Sequence, residues 1–570
     1  MKLITAKNKY ISFFITVLFL LSLPLMVTGC TGDIKEAKGD VIEETEEERQ
    51  AREEEERAKL LAERALFEEQ LKEELGPFFV PLPPLEQEEN PAVKARGLYL
   101  TGNTAGRPQK LAELVQLIED TELNAVVIDV KNDHGVMSYK SEIQIVQDVK
   151  ANQALPIKDI KGLLEDLKSR GIYTIARIVV FKDPHLPEQK PEWAIQSKSG
   201  GIWRDRKGVA WVNPYNKQVW DYNIAIAKEA ALMGFQEIQF DYVRFPENAA
   251  RVDREADYPG NEGRTKDEAI EQFLIYAQEQ LEMYNVHLAA DTFGVIATSW
   301  GDSDRIGQTW EKIAPNVEYN CPMIYPSHYG QGYFGFAVPD ARPYDTVYRA
   351  LTDAIKRNAS LEKPAIIRPW LQSFTATWVK GYIPYRAPEV RAQIDAALKL
   401  GIDEYLIWNP GNNYIREAFL TQEQYDEKKA AFELAREEKG QDVLGRTQEE
   451  ALRLFLEAIV KKNWREALVL HSTGFTISYD QYKPWMDSWA GKLKAYEILN
   501  SQEESDRHQK VKATIENNGE SFTFEEVVFE VVMENNIWRV KAPTDFMDLV
   551  TNPLEVEEET VEEDIEEPGN

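Results

Sequence analysis

From residue 92 to residue 440 the chain alternates between two patterns of apolar and polar positions. Short, nearly continuous apolar runs predict buried strands, and longer stretches with an apolar residue every three or four positions predict amphipathic helices. The strand runs are Ala95–Thr101, Ala125–Lys131, Tyr173–Phe181, Glu237–Phe245, His287–Phe293, Val317–Tyr325, Ala365–Leu371 and Glu404–Asn409. Helices are predicted between them at Gln109–Glu119, Ile160–Arg170, Lys217–Met233, Lys266–Tyr284, Tyr344–Asn358 and Pro388–Leu400. Gly171, Gly234 and Gly401 follow three of these helices, where a chain leaving a helix turns through a left-handed residue. Eight β/α repeats predict an α/β fold, a (β/α)8 TIM barrel with enlarged loops. A doubly wound open sheet is the competing arrangement. It would show a Gly-rich phosphate turn after its first strand, which Leu100–Gly106 imitates only weakly.

The pattern changes after the barrel. Within 445–545, helical runs Thr447–Lys461 and Trp464–His471 precede alternating runs Lys510–Glu516, Ser521–Met533 and Ile537–Lys541. Helices followed by strands predict a small α+β domain. Its order of elements resembles the cone-shaped nuclear-transport-factor-2-like fold.

The two ends of the chain are of different composition. Lys2, Lys7 and Lys9 precede an apolar run, Ile11–Val27, and then Val27-Thr28-Gly29-Cys30. A basic start, a short apolar stretch and small residues describe a secretory signal over 1–30. Because those small residues end on a cysteine, they resemble the bacterial lipobox, which implies cleavage before Cys30 and its lipidation. The alternative is an uncleaved anchor, but the run is shorter than the ~20 residues a spanning helix needs. The expectation is a lipoprotein held by acyl chains at the outer face of the bacterial cell membrane. The segment 31–90 reads as an acidic helical stalk and a Pro-rich linker: Thr31–Leu75 holds 17 acidic and 8 basic residues, and Pro77, Pro81, Pro83 and Pro84 follow. The tail, 551–570, has nine acids and no base and is expected to be disordered.

Over the whole chain, 66 Lys+Arg face 97 Asp+Glu, a net charge of −31, which argues against a nucleic-acid partner. Two cysteines exclude a disulfide scaffold and a Cys-rich zinc module. Six histidines without HExxH spacing give no His-based metal site, so neither metal nor cofactor is expected. Cys321, left alone by the lipidated Cys30, is expected to be a buried small apolar residue.

In a barrel of this kind, chemistry lies at the C-terminal ends of the strands. Alternation places Gln239 and Asp241 on one face of strand 4, His287, Ala289 and Asp291 on one face of strand 5, and Asp129 with Lys131 on one face of strand 2. If these faces point inward, Asp241 and Asp291 stand at one level on strands about 4.8 Å apart. That approaches the ~5–5.5 Å carboxyl separation of a retaining glycosidase. Two such carboxyls repel each other's ionisation, so one serves as acid and the other as nucleophile. Asp241 is assigned as nucleophile and Asp291 as acid/base, with Asp129 competing for the second role. Arg177 on strand 3 is placed to hold a carboxylate through its fork. Arg244 is expected to face away with Tyr242 or lie in the loop.

Aromatic residues gather near the same strand ends: Tyr242, Trp300, Tyr325, His328, Tyr329, Trp370 and Trp408, with Asn409 alongside. Flat rings pack on the C–H faces of sugars, and amide or guanidinium groups meet their hydroxyls. Arg177, Tyr242, Tyr325, His328, Trp370, Trp408 and Asn409 are therefore the candidate substrate-binding residues. The long segment Phe181–Asn213, with Trp193, Trp203 and Trp211, is a candidate lid or subsite wall.

Four motifs carry a resemblance: Phe240–Pro246, Ala290–Gly294, Met323–Tyr329 and Leu406–Pro410. Together they resemble a bacterial family of glycoside hydrolase domains, over about residues 92–420. The family is itself distantly similar to alpha-amylase-type barrels, which carry the nucleophile after strand 4 and the acid/base after strand 5. The acid of those barrels is Glu, whereas strand 5 here offers Asp291. The resemblance implies hydrolysis of a glycosidic bond in an extracellular or cell-envelope polysaccharide by two carboxylates. Two other readings stay open: a noncatalytic carbohydrate-binding or scaffold lipoprotein of the cell envelope, and metal-dependent hydrolysis of a sugar substituent.

Overall fold

The computed structural model of the protein describes residues 45–472, 479–487, 492–499, 508–517 and 519–541. The leader with Cys30 and the acidic tail 551–570 lie outside the described residues. The chain divides into two units, one ending at Phe67 and one beginning at Glu68. Helix Glu46–Leu75 opens with Glu46, Glu47 and Glu48, where negative charge favours the N-terminal end of a helix dipole. Arg49–Glu46 and Arg52–Glu56 pairs run along its exposed surface.

Eight parallel strands form the barrel: β1 Arg96–Leu100, β2 Ala125–Lys131, β3 Tyr173–Val179, β4 Glu237–Asp241, β5 His287–Phe293, β6 Tyr319–Ile324, β7 Trp370–Gln372 and β8 Tyr405–Trp408. Each pairs with its successor; β7 joins both β6 and β8, and β8 joins β1. The ring is closed, which excludes the open sheet. Helices Pro108–Glu119, Ile160–Ser169, Lys217–Met233, Lys266–Leu281, Pro343–Ala359 and Ala387–Lys399 accompany it. One apolar cluster packs between strands and helices, for example Ile128, Ile178, Ile238, Phe240 and Leu371 against Leu164, Ile226, Phe273 and Leu351. A second fills the barrel interior with Val127, Ile175, Ala289, Tyr319, Cys321 and Leu406. Burying one such branched side chain stabilises by about 1.5–3 kcal/mol.

Charge closes the lower end of the interior. Arg368, fully buried, donates to Glu237 at 2.7 and 2.8 Å and to Glu404 at 2.9 Å, and lies 3.5 Å above the Tyr319 ring. Tyr173 donates to Glu237 at 3.1 Å.

Three strands depart from simple alternation, and each departure shapes the site. In β2 the register with β3 slips between Asp129 and Lys131, a bulge that breaks the period of two. Lys131 therefore does not share the inward face of Asp129. It is fully buried against the Tyr222 ring of helix Lys217–Met233 and pairs with Asp183 at 2.9 Å. β4 stops at Asp241, four residues short of the expected Phe245, because Tyr242 takes a left-handed conformation (φ 50°). The seventh strand is interrupted at Arg368-Pro369, with Ile366–Ile367 forming a separate piece on β6. Pro369 has no N–H to give a ladder, and only its carbonyl is used, by the Leu406 amide at 2.9 Å.

The segment from Phe181 to Asn213 is packed rather than open. Trp203 and Trp211 are buried with Ile195, Val252 and Ala256, while Trp193 stacks on Phe78 at 6.0 Å. Of the three, Trp211 alone is in ring contact with a cleft residue, meeting Tyr242 edge-on at 5.9 Å.

The C-terminal domain carries an antiparallel sheet, β9 Leu493–Leu499, β10 His508–Asn517, β11 Glu520–Glu534 and β12 Ile537–Lys541, in sequential order. Helices Gln448–Val460 and Trp464–Leu470 pack Leu452, Phe455, Leu456 and Ile459 against Val511, Phe529, Val531 and Val540. Val469 and Ile537 meet Ala359 and Val443 at the junction with the barrel.

Candidate active site

The strand ends of the barrel surround a cleft of about 540 Å³, open to solvent. β4 and β5 run in register, with Phe240 opposite Ala290, so the next residues, Asp241 and Asp291, stand at the same level on neighbouring strands. Both line the cleft while keeping only 5% and 2% of their surface exposed.

Arg177, on β3, organises the acids. Its Nε donates to Asp241 Oδ2 at 2.9 Å and its Nη2 grips the same oxygen. Its Nη1 donates to Asp129 Oδ1 at 2.6 Å, and the other oxygen of Asp129 accepts the Tyr99 hydroxyl at 2.7 Å. Burial alone would lower the Arg177 pKa, but Asp241 and Asp129 raise it well above the ordinary arginine value, so the guanidinium stays charged. The remaining oxygen of Asp241 accepts the Tyr242 amide at 2.5 Å, a bond that the left-handed turn brings within reach.

Asp291 sits in a contrasting environment. Burial, and then the charge of Asp241, push its pKa well above the usual carboxylate value. The Trp370 indole N–H opposes this by donating to Asp291 Oδ1 at 2.6 Å. Asp129 is also pushed up by burial, but both its oxygens are engaged and it lies behind Arg177, outside the cleft lining. Asp129, expected to compete with Asp291 for the acid/base role, is thus joined to Asp241 through Arg177 but lies outside the cleft lining.

Stacked rings form the wall on the β8 side. Trp408 lies on Tyr99 with centroids 4.0 Å apart, and Arg177 rests 5.2 Å from the Trp408 ring. Trp370 meets Trp408 edge-on at 5.6 Å. Tyr325, with its hydroxyl pKa raised well above normal by burial, stays neutral, and His328 beside it has a pKa lowered by burial. Tyr242, Tyr325, His328, Tyr329, Trp370 and Trp408 all line the cleft. Asn409 does not. Its amide donates to the Ser373 and Asn413 carbonyls at 2.5 and 2.9 Å, and its oxygen accepts the Gly411 amide at 2.9 Å, so it fastens the turn after β8. Trp300 is also elsewhere, flanked by Arg357 at 3.9 Å and Arg465 at 3.8 Å.

Arg244 lies in the loop after β4, one of its two expected places, but it does not face away. It lines the cleft, 3% exposed, with its guanidinium 4.4 Å from the Phe293 ring and 4.9 Å from Tyr242, and it pairs with exposed Glu247 at 2.8 Å. The turn at Tyr242 reverses the alternation expected of a longer strand. Phe293, Glu247 and Phe374 also line the cleft, and Phe374 stacks on Trp378, which is 68% exposed. Ring stacking after strand 7 had no signal in the spacing. Gly294 marks a close approach: a Cβ there would stand 2.6 Å from both the Met323 carbonyl oxygen and the Tyr329 hydroxyl. Among the described residues, no three His, Cys, Asp or Glu side chains gather as ligands for a metal ion.

Fold and site together define a closed (β/α)8 barrel that carries paired carboxylates in a cleft walled by aromatic rings. The chain belongs to the family described as "Putative glycosyl hydrolase domain", whose model matches residues 97–414. Among solved structures, a hypothetical protein from Ruminiclostridium thermocellum ATCC 27405 is 43% identical, covering 34% of this chain and 96% of that one, with a TM-score of 0.32. The PgaB (BpsB) glycoside hydrolase domain from Bordetella bronchiseptica is 14% identical over 57% of this chain and 99% of its own, with a TM-score of 0.41. The spore cortex-lytic enzyme SleL from Bacillus megaterium QM B1551 is 14% identical over 60% and 75%, with a TM-score of 0.35. No functionally curated protein matches the chain.

Proposed function

We propose that the protein hydrolyses a glycosidic bond in an extracellular or cell-envelope polysaccharide, with Asp241 as nucleophile and Asp291 as general acid and base. The observation that carries this reading is the unequal treatment of two carboxyls at one level: Arg177 supplies a fixed positive charge to Asp241, whereas burial and Asp241 itself favour the protonated form of Asp291. Asp291 Oδ1 is occupied by Trp370, which leaves Oδ2 to carry the proton.

In the first step Asp241 attacks the anomeric carbon while Asp291 protonates the departing glycosidic oxygen, giving a glycosyl ester and a shortened chain. In the second, Asp291, now ionised, takes a proton from water as its oxygen attacks the same carbon, and Asp241 leaves as carboxylate. Asp129 acts as a positioning residue, fixing the Arg177 fork from behind. Trp408, Tyr242, Tyr325, Phe374 and Trp378 offer faces for sugar rings, and His328, kept neutral, can bond a hydroxyl.

The Val27-Thr28-Gly29-Cys30 motif supports a lipid anchor on Cys30, which would hold the barrel at the outer face of the cell membrane. Metabolic labelling with an acyl probe tests it: label is expected on the wild type and lost in Cys30→Ala. The C-terminal domain, by its helices followed by an antiparallel sheet, fits a cone-shaped nuclear-transport-factor-2-like spacing module. For activity, reducing-end release is measured on a glycan panel with wild type, Asp241→Asn and Asp291→Asn. Turnover by wild type with loss in both variants supports the hydrolase. Glycan binding with no turnover by any form favours the noncatalytic carbohydrate-binding reading.

A further inference from the structure

A second cavity, of about 440 Å³, adjoins the cleft and shares Asn248 and Asp304 with its lining. Its walls carry four arginines, Arg206, Arg251, Arg254 and Arg305, against the single carboxylate of Asp304. On a chain of net charge −31 such a concentration of arginines is not explained by composition.

Internal pairing does not use it up. Arg251 and Arg254 share Glu255, at 2.7 and 3.3 Å. Arg305 shares Asp253 with Lys266, each at 2.8 Å. Arg206, on an exposed turn, has no hydrogen-bond or ion-pair partner among the described residues. Counting these partners, five cations face three carboxylates. A guanidinium has five N–H donors in a planar fork, and the ion pairs given engage one nitrogen of Arg254 and one of Arg305. The unspent donors therefore border a cavity that meets the cleft holding Asp241 and Asp291 at Asn248 and Asp304.

We propose that this cavity is a subsite for an anionic substituent, a carboxylate, sulfate or phosphate on the sugar chain, and hence that the substrate is an acidic polysaccharide. The proposal rests on the hydrolase reading for its placement beside the cleft. Planar guanidinium forks match the paired oxygens of all three groups, and a polymer whose scissile bond lies over Asp241 would carry a neighbouring sugar across Asn248 and Asp304. The exposed carboxylate of Asp304 lines both spaces and is the one acid set among the four arginines.

The test uses the full chain carrying Asp241→Asn, so that binding is read without turnover. Matched pairs serve as probes: polygalacturonate oligomers beside their methyl esters, dextran sulfate beside dextran, and phosphorylated beside plain maltooligosaccharide. At low salt, at least one charged member is expected to bind about tenfold more tightly than its neutral partner, two arginine contacts at about fivefold or less each being sufficient. This preference should shrink several-fold in Arg206→Gln/Arg305→Gln and as sodium chloride is raised. Both positions are exposed, so Tm is expected to hold. Preference for no charged probe, or a preference that survives loss of both arginines, overturns the subsite. Wild-type turnover, measured in parallel, separates the two claims. Hydrolysis without charge preference removes the subsite alone, and charge preference without hydrolysis of any glycan retains the subsite and removes the hydrolase reading.

Discussion

Trp370 donates its indole N–H to Asp291 at 2.6 Å, from a strand two positions round the barrel. The bond does two opposed things. It fixes the direction of the carboxyl, and it favours the ionised form that burial and Asp241 disfavour. In Trp370→Phe the donor is lost, so the Asp291 pKa should rise further. The alkaline limb of the kcat/KM profile, where the acid loses its proton, is then expected to move to higher pH. The loss of orientation should lower kcat by about ten- to a hundredfold, the worth of one hydrogen bond to a charged group. A limb that moves to lower pH would contradict the assignment of Asp291 as the acid.

Asp291 also carries a stability cost. Its folded pKa is raised, so the folded chain binds a proton more readily than the unfolded one, and stability falls as pH rises from the ordinary carboxylate value through the folded pKa. Asp291→Asn removes that penalty. At neutral pH its Tm should exceed wild type by about 1–2 °C for each kcal/mol gained, with the difference shrinking at acid pH, while hydrolysis is abolished. Thermal melts across pH check both sign and window.

Much of this architecture was legible from alternation alone. β2 and β5 begin and end where their apolar runs do, and helix Lys217–Met233 keeps its predicted bounds with Gly234 in the left-handed position at its end. The departures have local causes that one-dimensional patterning does not encode. A bulge between Asp129 and Lys131 turned Lys131 outward to Asp183, and a left-handed Tyr242, a residue with no glycine-like signal, ended β4 and turned Arg244 into the cleft. Asn409 had the composition of a sugar-binding group, but its hydrogen-bonding capacity is spent on the backbone of its own turn and on Ser373. Trp378 lies beyond the expected strand run, and only the fold shows that it stacks on a cleft residue.

Trp378 and Phe374 lie with ring planes 20° apart and centroids at 6.0 Å, and Trp378 is the more exposed of the two. Trp378 is outside the cleft lining and stacks on Phe374 within it, so it should matter more for polymers than for short glycosides. Trp378→Ala is expected to raise KM for a polysaccharide by about fivefold, the scale of one stacking contact, with kcat little changed. An equal effect on a short glycoside would place the ring elsewhere in the reaction.

The buried charges at the base of the barrel have a different role from those at its mouth. Glu237→Gln leaves Arg368 with a single carboxylate partner, Glu404, in a fully buried setting. Breaking such a pair costs about 3–5 kcal/mol, and denaturant unfolding should show it. Adding Glu404→Gln to Glu237→Gln should deepen the loss, because Arg368 is then a buried cation with neither carboxylate partner.

The central claim is that Asp241 bonds to the sugar during turnover. It is tested most directly by trapping the enzyme with an activated 2-fluoroglycoside of a sugar it hydrolyses, then digesting the protein and locating the added mass. The account predicts one glycosyl adduct, on the peptide that contains Asp241, and faster labelling in wild type than in Asp291→Asn. An adduct on Asp129, on Asp291 or on a residue outside the cleft, or an active enzyme that accumulates no adduct at all, would contradict it.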